Sequence, residues 1–357
     1  MSNMSLYAEI AHLKPSHYSS IGEEGVVYLD DFEGASSGYN IGTPSISWKL
    51  ASTPRGTDNG QGKKILLEGD FVKDVKYGYN RAKLAWYSIQ NYIWTNSGPE
   101  WLLKDEEQKN SLYARNYEIK DVYPAKQNAN INSFLPTFDL AFYPNQRGQY
   151  NYEFSQSPTI GVSKGVNPDG TLKDPASRWG GIQRALDNTN CEQSNFEYIQ
   201  FWMLDPFLER ENNSGDLYFN LGTISEDVLR DSRMSYENGL VDINGAQRNQ
   251  VDQTVWSWVP RTPSLVSAFD NNPSMRQYQD VGFDGISDTN ERIKYAEFLN
   301  KAKANLSPAA YSLLEQDPSS DNFKFFLDED FANAKASVLQ MHKQSNGLEN
   351  NSPVNNT

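Results

Sequence analysis

Cysteine, positive charge and long apolar runs are all scarce in this sequence, and each shortage excludes a class of protein. Its single cysteine among 357 residues excludes an internal disulfide framework. Because 32 Lys and Arg stand against 46 Asp and Glu, the formal charge is −14. That balance argues against nucleic-acid binding, which needs clustered cations to neutralise phosphates. No run approaches the roughly 18 apolar residues of a membrane-spanning helix, and residues 1–20 lack the basic and apolar stretches of an export signal.

Catalytic motifs are missing as well. The three histidines are His12, His17 and His342, and no His-Glu-x-x-His, Cys-x-x-Cys or Gly-x-Ser-x-Gly motif is present. Carboxylates are plentiful enough for a two-carboxylate glycosidase, although nothing distinguishes one pair from the others. We therefore expect the chain not to be an enzyme.

What the sequence does contain is short β-rich segments as far as about residue 260. They are rich in aromatic and branched residues and are separated by clusters of Gly, Pro, Asn and Asp. Since no βαβ alternation is visible, they favour a mainly β fold, a jelly-roll-like antiparallel β-sandwich. The predicted strands are Val26–Leu29, Ser45–Leu50, Lys64–Leu67, Lys83–Ile89, Phe138–Tyr143, Tyr198–Leu204, Leu217–Leu221 and Thr254–Val259.

From about residue 288 the sequence pattern changes from β-rich to helical. Apolar residues at helical spacing predict a helix over Glu291–Ala304. Ser307 followed by Pro308 predicts an N-cap and the first residue of a second helix, which extends through Leu314. We thus predict a strand-like segment at 1–19, the β-sandwich at 20–262, an acidic loop with a small helical appendage at 263–344, and a polar linker at 345–357.

The first of these regions shows strict alternation. Leu6, Ala8 and Ile10 share one face of a predicted strand, with Tyr7 and Glu9 on the other face. This pattern fits an ordinary half-buried strand, and it also fits a strand of an outer-membrane barrel. Alternation alone does not separate the two.

The most specific local signal is the acidic loop between residues 280 and 291. Its candidate metal ligands are Asp280, Asp284, Asp288 and Glu291. They fall at positions 1, 5, 9 and 12 of the loop, and Gly285 occupies position 6, as in calcium-binding loops. The third position is Gly282, which supplies no side-chain oxygen, and no helix is predicted before the loop. The loop is either a structural calcium site or an acidic turn that stabilises the N-terminus of the next helix.

Long, unusual strings that run in order through nearly the whole chain resemble the SprA/Sov family of gliding-motility proteins. These proteins are the outer-membrane translocons of the type 9 secretion system, and full-length members are several times longer. The strings are Ala8–Pro15, Tyr28–Gly34, Arg81–Tyr87, Leu140–Tyr152, Arg178–Asn190, Glu197–Phe207, Gly215–Val228, Asp280–Glu291 and Asp317–Phe326.

The resemblance implies that this chain is an internal fragment of a protein-conducting β-barrel in the cell outer membrane. Residues 5–13 are similar to a transmembrane barrel strand, and residues 20–345 are similar to a soluble insertion between strands. Such an insertion is expected to cap or gate the lumen, or to dock partners, in the periplasm, in the lumen or at the cell surface. The implied partners are other type 9 secretion subunits and the transported cargo proteins.

A second hypothesis comes from a different class of protein. A calcium-stabilised carbohydrate-binding or hydrolytic jelly roll of a secreted protein fits the same β-rich pattern, with Trp94 and Trp101 stacking on sugar rings. Fold likeness alone does not carry sugar binding with it.

Overall fold

The computed structural model describes residues 39–42, 45–55, 66–124, 134–158, 161–186, 198–208, 213–222, 251–253, 258–260, 284, 286–322, 324 and 326–345. The chain divides into two compact units, residues 1–40 with 188–200, and residues 41–187 with 201–357. The predicted strands at 6–10 and 26–29, residues 346–357 of the predicted linker at 345–357 and most of the loop before Asp284 lie outside the described residues. Ser345, the first residue of that predicted linker, is instead the last residue of a helix. The predicted region boundaries stay predictions.

Strands in the described ranges form antiparallel pairs, β1 with β6, β2 with β5, β3 with β4 and β7 with β8. They are β1 (Lys49–Leu50), β2 (Ala82–Tyr87), β3 (Tyr117–Glu118), β4 (Phe134–Leu135), β5 (Asp139–Arg147), β6 (Ile182–Gln183), β7 (Val251–Gln253) and β8 (Trp258–Pro260). Because these pairs are two-stranded, the jelly-roll sandwich stays a prediction.

Two predicted strands, Lys83–Ile89 and Phe138–Tyr143, coincide closely with β2 and β5. Others differ. Ser45–Ser47 forms a 3-10 turn before β1, and Leu67 begins a 3-10 helix. Residues 198–204 and 217–221 carry neither strand nor helix. Apolar composition indicates that a segment suits a sheet, but a strand also needs a neighbour to complete its hydrogen-bond ladder.

The described helices are concentrated after residue 288. They are α1 (Glu100–Leu103), α2 (Glu106–Asn110), α3 (Ile119–Val122), α4 (Asp288–Lys294), α5 (Ala296–Asn305), α6 (Pro308–Gln316), α7 (Glu329–Ala334) and α8 (Val338–Ser345). Short 3-10 helices also cover Val75–Gly78, Asn91–Trp94 and Pro175–Ser177. No helix in these ranges has the length and apolar character needed to cross a bilayer.

Local chemistry explains the helix boundaries near residue 307. The Ser307 hydroxyl accepts a hydrogen bond from the Ala310 amide at 3.3 Å, and Pro308 occupies the first helical position, so the predicted N-cap is confirmed. The helix predicted over Glu291–Ala304 is interrupted at Tyr295, where α4 ends and α5 begins.

Strand β2 is the centre of the core, because all of its side chains are buried. Alternate residues of a strand point to opposite faces. Accordingly Tyr87 packs in one apolar cluster with Phe331, Val338 and Met341, and Trp86 packs in another with Tyr152. The helices after residue 288 therefore share their core with the strands before residue 150.

Hydrogen bonds connect the same two parts of the chain. The Trp101 indole donates to the Ala336 carbonyl at 3.0 Å. The Tyr150 amide donates to the Ser319 carbonyl at 2.7 Å. The second bond places the turn after α6 beside the residues that follow β5.

Candidate metal centre

Acidic side chains from two separate segments converge beside α4. Two overlapping groups are present, Asp284, Glu291 and Asp321 in one, and Asp288, Glu291 and Asp317 in the other. Within each group the nearest carboxylate oxygens all lie within 4.8 Å of one another. The structure thus brings together three of the four predicted ligands, whereas Asp280 lies outside the described residues.

Each segment directs its carboxylates through local turns. Asp284 Oδ1 accepts a hydrogen bond from the Ile286 amide at 3.1 Å, which closes the turn before α4. Asp288 and Glu291 lie in the first turn of α4, where the helix dipole favours negative charge. In the second segment, Asp317 Oδ1 accepts from the Asp321 amide at 3.1 Å.

Ser319 joins the two segments. Its amide donates to Glu291 Oε2 at 3.1 Å, and its hydroxyl donates to Asp284 Oδ2 at 3.0 Å. The Tyr152 hydroxyl lies 3.0 Å from the same serine oxygen, and Asn322 Nδ2 donates to Asp288 Oδ2 at 3.1 Å. The carboxylates are consequently held in a fixed arrangement by main-chain and hydroxyl groups.

Burial dominates the electrostatics of this cluster. Asp284 is 0% exposed and Glu291 is 1% exposed. Burial raises the pKa of Asp284, and the hydrogen bonds from Ile286 and Ser319 only partly oppose it. Burial also raises the pKa of Glu291, and the neighbouring carboxylates of Asp284 and Asp317 raise it further. Without a counter-ion, the buried carboxyl groups therefore retain protons at pH values where exposed ones are ionised.

Two basic side chains, Arg147 and Lys294, lie beside the cluster, and the charge of Arg147 interacts with the carboxylates of Asp317, Glu291 and Asp321. Arg147 donates from Nη2 to the Asp317 carbonyl at 2.6 Å, and its other terminal nitrogen donates to the Pro318 and Asn151 carbonyls. Burial lowers the pKa of Lys294, although the charge of Asp284 opposes that effect. Among the described residues, no Lys or Arg forms an ion pair with Asp284 or Glu291.

The cluster can be neutralised in two chemical ways. Protons can occupy the buried carboxyl groups, or a hard cation can take several carboxylate oxygens as ligands. Calcium prefers six to eight oxygen ligands in flexible geometry, and every candidate ligand here is an oxygen.

Part of this site was not anticipated from the sequence. Asp317, Ser319 and Asp321 follow the predicted loop in sequence only after α4, α5 and α6. The folded structure shows that they lie beside the loop. The one available signal was the acidic, serine-rich string after α6.

The predicted sugar-stacking residues occupy a different environment. The Trp94 indole donates to the Ala114 carbonyl at 2.8 Å, and the Trp101 indole donates to the Ala336 carbonyl. Both rings pack against the apolar cluster that contains Tyr87. In this structure the two indoles contribute to the core.

Comparison with known proteins gives one family match. A family model named SprA_N and described as a motility related/secretion protein matches residues 297–357. The matched range begins inside α5 and includes α6, α7 and α8. A search of curated proteins finds no match.

Proposed function

We propose that this protein is a non-catalytic part of an outer-membrane translocation barrel. The proposal is supported by the match of residues 297–357 to the SprA motility and secretion family model. The match itself supports a role in secretion and motility. The specific role in type 9 secretion, with the folded insertion capping or gating the lumen or docking partners, is our proposal. Its partners would be other secretion subunits and cargo proteins.

One observation extends the proposal beyond the matched segment. Phe331, Val338 and Met341 lie in the match, yet they pack in the same apolar cluster as Tyr87 and Ile93. A segment that shares its core with earlier strands does not act as a separate module. The proposed role therefore belongs to the folded unit as a whole.

The arrangement of polar groups supports a non-catalytic role. The buried carboxylates of Asp284 and Glu291 are both bound to Ser319. A buried ion pair, Arg178 with Glu153, also binds main-chain carbonyls of distant loops. These groups hold segments of the chain together, which is what a cap, gate or docking platform requires.

Co-purification tests the proposed function. The parent protein, expressed from its own gene with an affinity tag, is expected to fractionate with outer membranes and to co-purify with barrel-associated secretion subunits. Phe331→Asp, which places a charge in the core, should abolish this association. Leu313→Asp is the matched control, because Leu313 is 70% exposed. A parent protein found without secretion subunits, in a fraction other than the outer membrane, would contradict the proposal.

We also propose that the carboxylate cluster binds a divalent cation, with calcium as the best chemical match. Five carboxylates from two segments form two overlapping groups that share Glu291, and neither Asp284 nor Glu291 has an ion-pair partner in the described part of the chain. A bound cation would replace the protons and would cross-link the two segments, as structural calcium sites do.

Calorimetric titration with calcium checks this second proposal. We expect heat of binding and a raised melting temperature, both lost in Asp284→Asn/Glu291→Gln. Affinity should rise with pH, because calcium competes with the protons on the buried carboxyl groups. Glu297→Gln is the matched control, since the Glu297 side chain is 84% exposed. Absence of heat together with an unchanged melting temperature would leave protonation as the explanation.

A further inference from the structure

A buried histidine lies where α8 packs against β2. His342 is 1% exposed, and its ring stacks on Phe326 with centroids 5.0 Å apart. The centroid of the same ring lies 4.7 Å from the centroid of the Tyr87 ring, which belongs to β2. Nδ1 lies 2.9 Å from the Val338 carbonyl oxygen, one turn earlier in α8. The ring is thus held between an aromatic of β2 and an aromatic that precedes α7.

The second ring nitrogen has no such partner. Nε2 is buried and has no hydrogen-bond partner within the described part of the chain. Since the Val338 carbonyl can only accept, the neutral ring carries its proton on Nδ1 and leaves Nε2 as a bare lone pair. A proton added to Nε2 would create a buried cation without an acceptor, which is strongly unfavourable.

The charged groups around the ring do not compensate for that cation. Lys343, on the same helix, lies 4.3 Å above the Tyr143 ring of β5. Lys324, near Phe326, pairs with Asp328 and Asp330. On the β2–β5 side, Asp139 is close enough to Tyr87 to help raise the pKa of that hydroxyl, after the larger effect of burial.

None of these carboxylates forms an ion pair with His342 among the residues that the structure describes. Burial accordingly lowers the pKa of His342 to about 4, against the smaller effect of the Val338 hydrogen bond.

The residues next to His342 in α8 pack into the core beside β2. Val338 and Met341, on the same helix, are 0% exposed and belong to the cluster that contains Tyr87. The Val338 amide donates to the Gln108 side chain at 3.4 Å. Any change that expels the His342 ring withdraws these neighbours from the core as well.

We infer that His342 is a pH-sensitive latch, which holds α8 against β2 while its ring is neutral and releases α8 when the ring is protonated. The inference is independent of the proposed secretion role. An undocked histidine has an ordinary pKa of about 6.5. The docking constant of α8 is therefore highest above that pH. As the pH falls toward the lowered pKa of the docked ring, the docking constant decreases by about tenfold per pH unit.

Hydrogen exchange of the full chain tests the latch at pH 5, 6 and 7, with rates corrected for intrinsic exchange. Amides of α8 are expected to open about tenfold more readily at pH 5 than at pH 6, while amides of β2, which remain paired with β5, lose less protection. His342→Phe keeps an aromatic ring and removes the titration, so its α8 protection should not change with pH. His342→Gln, which tests the same point with a polar side chain, should also show no pH dependence.

Three results would overturn the inference. One is α8 protection that is equal at pH 5 and pH 7 in the unmodified chain. Another is a tenfold pH dependence that persists in both His342→Phe and His342→Gln. The third is a parallel loss of protection in β2, which would indicate global acid unfolding.

Discussion

Replacing Arg178 with Met is expected to lower the free energy of unfolding by about 3–5 kcal/mol. The side chains of Arg178 and Glu153 are both 0% exposed, and Nη1 lies 2.9 Å from Oε2. Methionine fills similar volume but removes the positive charge, so the buried Glu153 carboxylate keeps the hydrogen bond from the Ser163 hydroxyl but loses its counter-charge. A loss of this size is a large part of the stability of an ordinary domain.

Additional hydrogen bonds contribute to this effect. Arg178 donates to the Tyr79 and Gly165 carbonyls, each at 2.7 Å, and to the Lys173 carbonyl at 3.0 Å. Methionine removes these bonds, although the Tyr79 and Gly165 carbonyls still accept from the Asn151 side chain and the Lys173 amide. The Lys173 carbonyl loses the donor that Arg178 supplies, and a buried acceptor without a partner costs about 1–3 kcal/mol. One side chain thus holds the loop between β5 and β6 against the turn before β2.

Urea unfolding followed by tryptophan fluorescence measures the loss. The matched control is Lys301→Met, whose partner Glu297 is 84% exposed, and we expect a change of about 0–1 kcal/mol there. The double variant Glu153→Leu/Arg178→Met should recover part of the stability, because it leaves no isolated charge. An Arg178→Met protein within 1 kcal/mol of the unmodified chain would contradict the expectation for a buried pair.

Removing residues 297–357 is expected to abolish cooperative unfolding of the remaining chain. Phe331, Val338 and Met341 would leave the apolar cluster, and Tyr87 and Ile93 would lose their packing partners. Deleting even one large buried side chain costs about 2–5 kcal/mol, so loss of several exceeds the stability of most domains.

Thermal melting by circular dichroism checks this expectation. The truncated chain should show a broad, non-cooperative transition. Adding residues 297–357 as a separate polypeptide should restore a cooperative one, which controls for loss of the chain by degradation. A truncated chain that melts cooperatively at the original temperature would contradict the expectation, because residues 297–357 would then be a separate module.

Local chemistry was predicted well from the sequence. Ser307 and Pro308 identify the start of α6, because an N-cap and the first helical position depend only on neighbouring residues. The apolar runs near residues 83 and 138 identify β2 and β5. Three of the four proposed ligands are also brought together, since they lie within one short segment.

Long-range assembly was not predictable in the same way. Asp317 and Asp321 reach the acidic cluster through the return of the chain after α6, and Ser319 connects them to Glu291. The pairing of Arg178 with Glu153 likewise depends on two loops that meet only in the folded protein. A charge in the sequence carries no mark of its partner, so these contacts needed the structure.

The central claim is that the chain contributes a folded scaffold. It is tested most directly by measuring secretion in cells that carry variants of the buried Arg178–Glu153 pair. Cargo in the medium is compared with the amount of folded parent protein for Arg178→Met and for Glu153→Leu/Arg178→Met. We expect secretion to fall with the first variant and to recover with the second in proportion to recovered stability. A double variant that folds normally but secretes no cargo would contradict the claim, because the two side chains would then act beyond their role in the fold.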